Sequence, residues 1–378
     1  MQKEKIVPAI RFKGFKEEWK EKKINQILIP IVSDLTMLCI QEKEPYPVYD
    51  ANNIVGYSSY ALSSVPYLTI IKDGAGVGRT RKLPANSSFL GTMTGLIPKN
   101  SDIDFTYNLM SSLKLEKNFS GSTIPHIYFS DYGKYLVYVP SIIEQQKIGL
   151  FLSNLDILIT CVERNLDKLQ TIKQSLLNNM FASFERKMPK IRFKAFEENF
   201  EVIRLNEIAE YKNGKGHEKF VLEKGKYILV NSKFISSNAS QCKYTNINIS
   251  PLFKNDIVMV LSDIPGGKAL AKTFLIDNDN KYALNQRICA LTSKSTSPIY
   301  LSIILNRNSQ LLALDDHVNQ TNINRQQVMD LLLLIPSYAE QQKIGQFFSN
   351  LDSLIHSQEQ KLEKLNNIKQ ALLEKMFC

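Results

Sequence analysis

From residue 152 onward, apolar side chains return at alternating steps of three and four: Leu152, Leu155, Ile159, Val162, Leu166, Leu169, Leu176 and Met180. On a helix these positions share one side and form an apolar stripe. The rhythm returns in Phe348, Leu351, Ile355, Leu362, Leu365, Leu372 and Met376. Lys173 and Lys369 fall in the core phase of their stripes, Gln358 stands where the first copy has Val162, and Ile172 and Ile368 are expected to cover those turns. Each stripe belongs to a longer repeated stretch, 140–181 and 336–377, in which 26 of 42 paired positions are identical. Packing alone would preserve apolar positions only, so identity at polar ones, as in Glu144-Gln145-Gln146-Lys147-Ile148-Gly149 and Glu340-Gln341-Gln342-Lys343-Ile344-Gly345, marks an internal repeat.

Each copy signals where its helix starts. Ser141 and Ser337 follow a proline and precede Glu144 and Glu340 by three residues, the spacing of a capping box. Gly149 and Gly345 cost a helix ~1 kcal/mol each relative to alanine, which implies a close backbone approach there. A helix of about 40 residues is roughly 60 Å long, and a stripe of that length needs a partner. Two such helices satisfy each other, and connectivity favours an antiparallel pair with a globular domain at either end.

A second repeated word opens each globular region: Ile10-Arg11-Phe12-Lys13-Gly14-Phe15 before Trp19, and Ile191-Arg192-Phe193-Lys194-Ala195-Phe196 before Phe200. Its aromatic residues read as anchors of a domain start in preference to base-stacking groups. Ile191 lies just past the first helix, so its counterpart Ile10 is expected near the end of the second, making the two termini neighbours. Between these words and the helices, short β-type runs (Tyr67–Ile71, Tyr135–Val139, Tyr227–Val230, Ile257–Leu261) alternate with Pro, Gly, Asn and Ser turns. The class is α+β: globular domains at 1–139 and 185–335, helical spacers at 140–184 and 336–378, and a pseudo-twofold internal repeat. The globular middles diverge far more than the helices, as in a protein that reads two different things.

Composition adds a modest pointer. Lys and Arg number 47 against 37 Asp and Glu, a net charge of +10 that favours a polyanionic partner. Five scattered cysteines without a Cys-x-x-Cys pair read as free thiols of a reducing compartment. No apolar run reaches the ~18 residues of a membrane span, so the expectation is a soluble, cytoplasmic protein.

Two loop stations recur. Lys72-Asp73-Gly74-Ala75-Gly76-Val77-Gly78-Arg79 follows a strand, but Arg79-Thr80 replaces the Lys-Ser/Thr of a P-loop, and Pro84 with Asn86-Ser87-Ser88 predicts turn where a dinucleotide fold needs a helix. Ser262-Asp263-Ile264-Pro265-Gly266-Gly267-Lys268 holds the same station in the second copy. Both read as hairpin loops that bring backbone and a basic side chain to a phosphodiester, with a plain turn as the competing reading. The second station, Ser120 to His126 and Asp316 to Asn322, gathers hydroxyls and amides suited to phosphates and base edges. The four histidines lie apart and predict no metal site, and neither a nucleophile elbow nor a catalytic acidic cluster is present.

The paired Pro-Ser-x-x-Glu-Gln-Gln-Lys-Ile helices, each preceded by a variable domain with an Arg-Phe-x-x-Phe opening, resemble the specificity subunit of type I restriction-modification systems over essentially the whole chain. The resemblance implies two target-recognition domains, each reading one half of a split double-stranded DNA target. It also implies two helical regions that act as a spacer and dock methyltransferase subunits, two in number, through which restriction subunits attach. It further implies a chain without catalysis or cofactor of its own, with S-adenosylmethionine, ATP and Mg²⁺ on the partners. Candidate DNA contacts are Lys72, Arg79, Arg81, Lys82, Thr123 and His126 in the first domain, and Lys268, Lys272, Asn285, Arg287, Gln320 and Asn322 in the second. Candidate docking positions are Glu144, Gln145, Gln146, Lys147, Glu340, Gln341, Gln342 and Lys343. The reading from a different class is a coiled-coil assembly scaffold with protein-binding end domains. A stand-alone nuclease or transferase has least support.

Overall fold

The computed structural model describes residues 7–74, 76–115 and 125–378. The chain divides into two compact units, residues 1–165 with 358–378, and residues 166–357. The first long helix, Ile142–Asn179, and the second, Tyr338–Lys375, each begin in one unit and end in the other.

In the first unit, Lys20–Lys23 pairs antiparallel with Leu136–Val139, the strand that leads into the first long helix. An antiparallel sheet follows in the order Leu28–Ile31, Met93–Pro98, Tyr67–Ile71, Thr80–Leu83. Tyr67-Leu68-Thr69-Ile70-Ile71 is rich in aromatic and β-branched residues and all five are buried, as an interior strand requires. A three-stranded sheet centres on Tyr46–Tyr49, antiparallel to Ile54–Ser58 and parallel to Ser88–Phe89. The helix Ile103–Ser112 starts at Asp102, whose side chain accepts the Phe105 N–H.

The second unit repeats these three sheets in the same order. Glu201–Arg204 pairs with Leu332–Ile335, the four-stranded order is Ala209–Asn213, Ile288–Ser293, Ile257–Val260, Thr273–Leu275, and Tyr227–Val230 lies between Lys243–Thr245 and Tyr282–Leu284. Here too the centre strand is antiparallel to one neighbour and parallel to the other. The sequences of the globular middles diverge, in buried strands such as Tyr67–Ile71 and Ile257–Val260 as well as in loops, yet their topology is common.

Within each unit, the start of one long helix lies against the end of the other, running antiparallel as expected. In the first, Ile148 and Leu152 share a core with Leu372, Met376 and Phe377, and Asp156 meets Lys369 at 2.5 Å. In the second, Ile344 and Phe348 pack with Leu176 and Met180, and Lys173 pairs with Asp352. These ion pairs occupy equivalent places in the repeat. They correct one expectation: Ile172 and Ile368 are exposed, and the lysines in the core phase of each stripe are instead accommodated by a carboxylate on the facing helix.

The repeated opening word docks on the same joints. Ile10 N–H donates to the Lys375 carbonyl and Ile191 N–H to the Asn179 carbonyl, each at 2.9 Å, so Ile10 does lie at the end of the second long helix. Trp19 and Phe200 are buried, in line with anchoring and against base stacking. Trp19 packs edge-on against Phe105 and Phe377.

Candidate nucleic-acid interface and docking positions

The helix starts explain the repeated polar word. Arg11 donates to both oxygens of Glu144 at 2.7 and 2.8 Å, and Arg192 does the same to Glu340 at 2.8 and 2.7 Å. Both carboxylates are fully buried, and these charge-assisted bonds, ahead of the opposing effect of burial, raise the pKa of both arginines. The carboxylates expected to close capping boxes are thus taken up bidentately by the opening word. Gln145 accepts Ser101 Oγ–H and Asp102 N–H and donates to the Pro140 carbonyl; Gln341 accepts Ser297 N–H and donates to the Pro336 carbonyl. Each glutamine pins the start of the preceding short helix (Ile103–Ser112 or Pro298–Leu305) to the long helix behind it. Glu144, Gln145, Glu340 and Gln341 are therefore internal clamps and leave the set of docking candidates, because burial and satisfied bonds keep them from a partner. Gln146, Lys147, Gln342 and Lys343 are exposed. Lys147 lies over the Phe15 ring at 5.4 Å and Lys343 over Phe196 at 5.3 Å. The close approach expected at the glycines is present: a Cβ on Gly149 would lie 2.5 Å from Asp102 Oδ1 and 2.7 Å from Phe105 N, and one on Gly345 3.3 Å from Ile299 Cβ.

The two loop stations meet in each unit, a juxtaposition their sequence separation conceals. In the first unit, Thr80–Leu83 returns antiparallel to Tyr67–Ile71, so the glycine loop is a hairpin as read. Gly74, Gly76 and Gly78 take φ of +85°, +83° and +86°, which glycine alone adopts without cost. The loop bridges to the second station, with Gly74 N–H donating to the Pro125 carbonyl at 3.1 Å and Ile127 N–H to the Lys72 carbonyl at 3.0 Å. His126 Nδ1 lies 2.7 Å from Asp73 Oδ1, and its ring stacks on Tyr128. Arg79 donates to the Ala51 carbonyl and Asn52 Oδ1, both at 2.7 Å, and Arg81 lies over the Tyr49 ring at 5.0 Å. The turn at Asp50–Asn53 thus orients two arginines, and nothing in the local sequence announced it. Lys82, one residue on, points to the opposite face of the strand, pairs with Asp104 and lies over Tyr107, so it leaves the DNA set. Thr123, with residues 120–124 of its station, lies outside the described residues.

In the second unit the equivalent contact is a strand pair, Ser262↔Asn322 and Asp263↔Thr321. Gln320 Nε2 donates to Ser262 Oγ at 2.7 Å. The Asp263 carboxylate closes its loop by accepting Ile264, Ala269 and Leu270 N–H. Asp315 and Asp316 fold the other loop. His317 N–H on Asp315, and Asn319 and Val318 N–H on Asp316, hold both carboxyls below the usual carboxylate range. Leu261 N–H donates to the Arg287 carbonyl and Ile323 N–H to the Leu261 carbonyl, which places Arg287 and the 320–322 strand on either side of this segment. Lys268, Arg287, Gln320 and Asn322 are exposed. Lys272 is half-buried with Nζ on the Ser236 carbonyl at 2.8 Å. Asn285 is spent internally, its Oδ1 accepting His217 N–H at 3.1 Å and its backbone lying under Gly214, so it too leaves the DNA set.

Among the described residues, no group of three or more His, Cys, Asp or Glu could hold a metal ion, and no helix is long and apolar enough to cross a membrane.

A duplicated α+β plan thus carries two unlike loop pairs, one in each unit. The chain belongs to the type I restriction-modification DNA specificity domain family, which it matches at residues 16–171 and 197–367. It is 25% identical over 329 residues to the type I restriction enzyme MjaVIII specificity subunit of Methanocaldococcus jannaschii, covering 81% of this chain and 77% of that one. Its fold is similar to the crystal structure of a type I restriction-modification S subunit from M. genitalium, with TM-score 0.72, 16% identity and 99% of each chain covered. It is also similar to a chain from a type I restriction-modification system described for its complex assembly and conformational transition, with TM-score 0.54, 13% identity, and 95% of this chain and 97% of that one covered.

Proposed function

We propose that this chain is the non-catalytic reader of a bipartite DNA target. The loop pair of each unit reads one half-sequence of double-stranded DNA, through Lys72, Arg79, Arg81 and His126 in the first and Lys268, Lys272, Arg287, Gln320 and Asn322 in the second. Arginine can address guanine bidentately, and Gln or Asn adenine, while lysines and loop backbone suit phosphates. The exposed positions Gln146, Lys147, Gln342 and Lys343 contribute to docking two methyltransferase subunits, and restriction subunits attach through those. S-adenosylmethionine, ATP and Mg²⁺ belong to the partners. The length of the long helices sets the number of base pairs tolerated between half-sites. The observation that carries this reading is one topology present twice, with dissimilar loop pairs at the same place in each copy.

The test is methylation by the purified chain with its methyltransferase subunit. Adenine methylation within one split sequence is expected, and Arg79→Ala should relax or lose one half of it while leaving the other intact. Absence of methylation in any split target, together with no footprint on DNA, would remove the reading in favour of a protein scaffold.

A further inference from the structure

The first long helix is apolar on two sides. One side is spent within its unit through Leu152, Ile159 and Val162, which are buried. Counting back two residues, about 200° round the helix at 3.6 residues per turn, gives Leu150 and Ile157, and one heptad earlier Ile143; these are 63%, 65% and 65% exposed. Phe151 and Leu158 widen the same ridge. Seven-residue spacing is the period at which a second helix follows the first, each apolar knob entering a hole between residues of the other. The ridge exposes on the order of 500 Å² of apolar surface, at the upper limit of what a monomer leaves bare. It falls short of the ~800 Å² per partner of a stable interface, so it fits the core of a larger contact better than a self-sufficient dimer seam. Gln146 and Lys147 are exposed on the same stretch, so the ridge continues the docking positions assigned above.

The equivalent face of the second long helix differs in kind. At the positions matching Ile143, Leu150 and Ile157 stand Ala339, Gln346 and Ser353, all exposed. The repeat keeps its clamps, glycines and ion pairs, and it keeps Phe347 and Leu354 at the flanking positions of Phe151 and Leu158, but not the line of Ile143, Leu150 and Ile157.

We propose that the two methyltransferase-docking faces are unequal: the Ile143–Leu150–Ile157 ridge takes an amphipathic helix of one methyltransferase subunit tightly, and the Ala339–Gln346–Ser353 face takes the second copy weakly, so assembly passes through a one-to-one complex. This rests on the docking reading above. Each buried Leu or Ile side chain contributes roughly ten- to a hundredfold in affinity, so the two faces differ by at least a hundredfold.

The test titrates the full chain with its methyltransferase subunit, read by native mass spectrometry and calorimetry. Two steps separated by at least a hundredfold are expected. Leu150→Glu with Ile157→Glu should abolish the tight step and keep the weak one, with unchanged circular dichroism and unchanged exchange of the Ile10 amide to show that the fold is intact. Gln346→Leu with Ser353→Ile should strengthen the weak step. Two equal steps, or a Glu double variant that binds as the parent does, would overturn the inequality while leaving docking in place. Self-association of the chain alone that the Glu variant abolishes would assign the ridge to a second copy and overturn the proposal. If neither step occurs with the parent chain, the docking reading itself falls.

Discussion

Replacing Arg192 by alanine strands the Glu340 carboxylate in a fully buried position after removing two charge-assisted bonds of 2.7 and 2.8 Å. Breaking one side of a buried ion pair costs about 3–5 kcal/mol, because the remaining charge has lost its compensation. The loss falls first where the opening word joins the helix end, at the Ile191 amide that donates to the Asn179 carbonyl. At the lower bound, local opening becomes on the order of a hundredfold more frequent, since each 1.36 kcal/mol is tenfold. Hydrogen exchange of the full chain, read by mass spectrometry over residues 187–200, reports this directly and needs no two-state assumption for a chain of two units. The Ile10 amide, in the other unit, should keep its protection. Arg192→Met with Glu340→Leu should restore most of the protection, because an apolar pair carries no uncompensated charge. Less than a threefold change at Ile191 in Arg192→Ala would refute the assignment of Glu340 as a buried clamp.

Gly149→Ala should destabilise its unit by about 1–3 kcal/mol, since its Cβ would crowd the backbone of Phe105, while Gly345→Ala should be near neutral because ordinary helix propensity offsets a mild contact; equal losses in thermal melts would contradict the geometry. The carboxyls of Asp315 and Asp316 titrate below their unfolded values, so the order they give the 315–320 loop is full above the unfolded pKa and lost as pH falls through the folded one. Amide protection at Val318 and Asn319 should therefore persist from neutrality to about pH 4 and fall below it; loss already between pH 7 and 5 would contradict the assignment to these two carboxyls. Four residues, about one turn, added to each long helix should change the spacer tolerated between half-sites and leave both half-sequences alone, as methylome sequencing of a host carrying the variant would show.

The helices, the repeat, the hairpin loops and the meeting of Ile10 with the second helix end were legible because each rests on local periodicity or on comparing the chain with itself. Polar residues whose partners lie far off in sequence were misread. Glu144 and Gln145 look solvated beside Gln146 and Lys147, and only Arg11, 133 positions away, reveals the first as a clamp. The recurrence of both words in both copies was the available signal. Lys173 looked like a flaw because its carboxylate lies 179 residues on, at Asp352. The bridge from Asp73 to His126 escaped for another reason: single-residue pairings leave no alternation to read. Lys82 adjoins Arg81 in the sequence, but neighbours on a strand face opposite ways, and its partner Asp104 lies 22 positions on.

The bond from Ile10 to Lys375 has a twin in the bond from Ile191 to Asn179, yet only the second pair is bridged by a short run of chain, residues 180–190. Covalently, the polypeptide behaves as a loop that has been cut at one of two interchangeable seams. Joining the residues after Lys375 to those before Ile10 with a linker like 180–190, and opening the chain within 180–190 instead, should yield a permuted protein with every strand register kept and the order of its two globular regions exchanged along the gene.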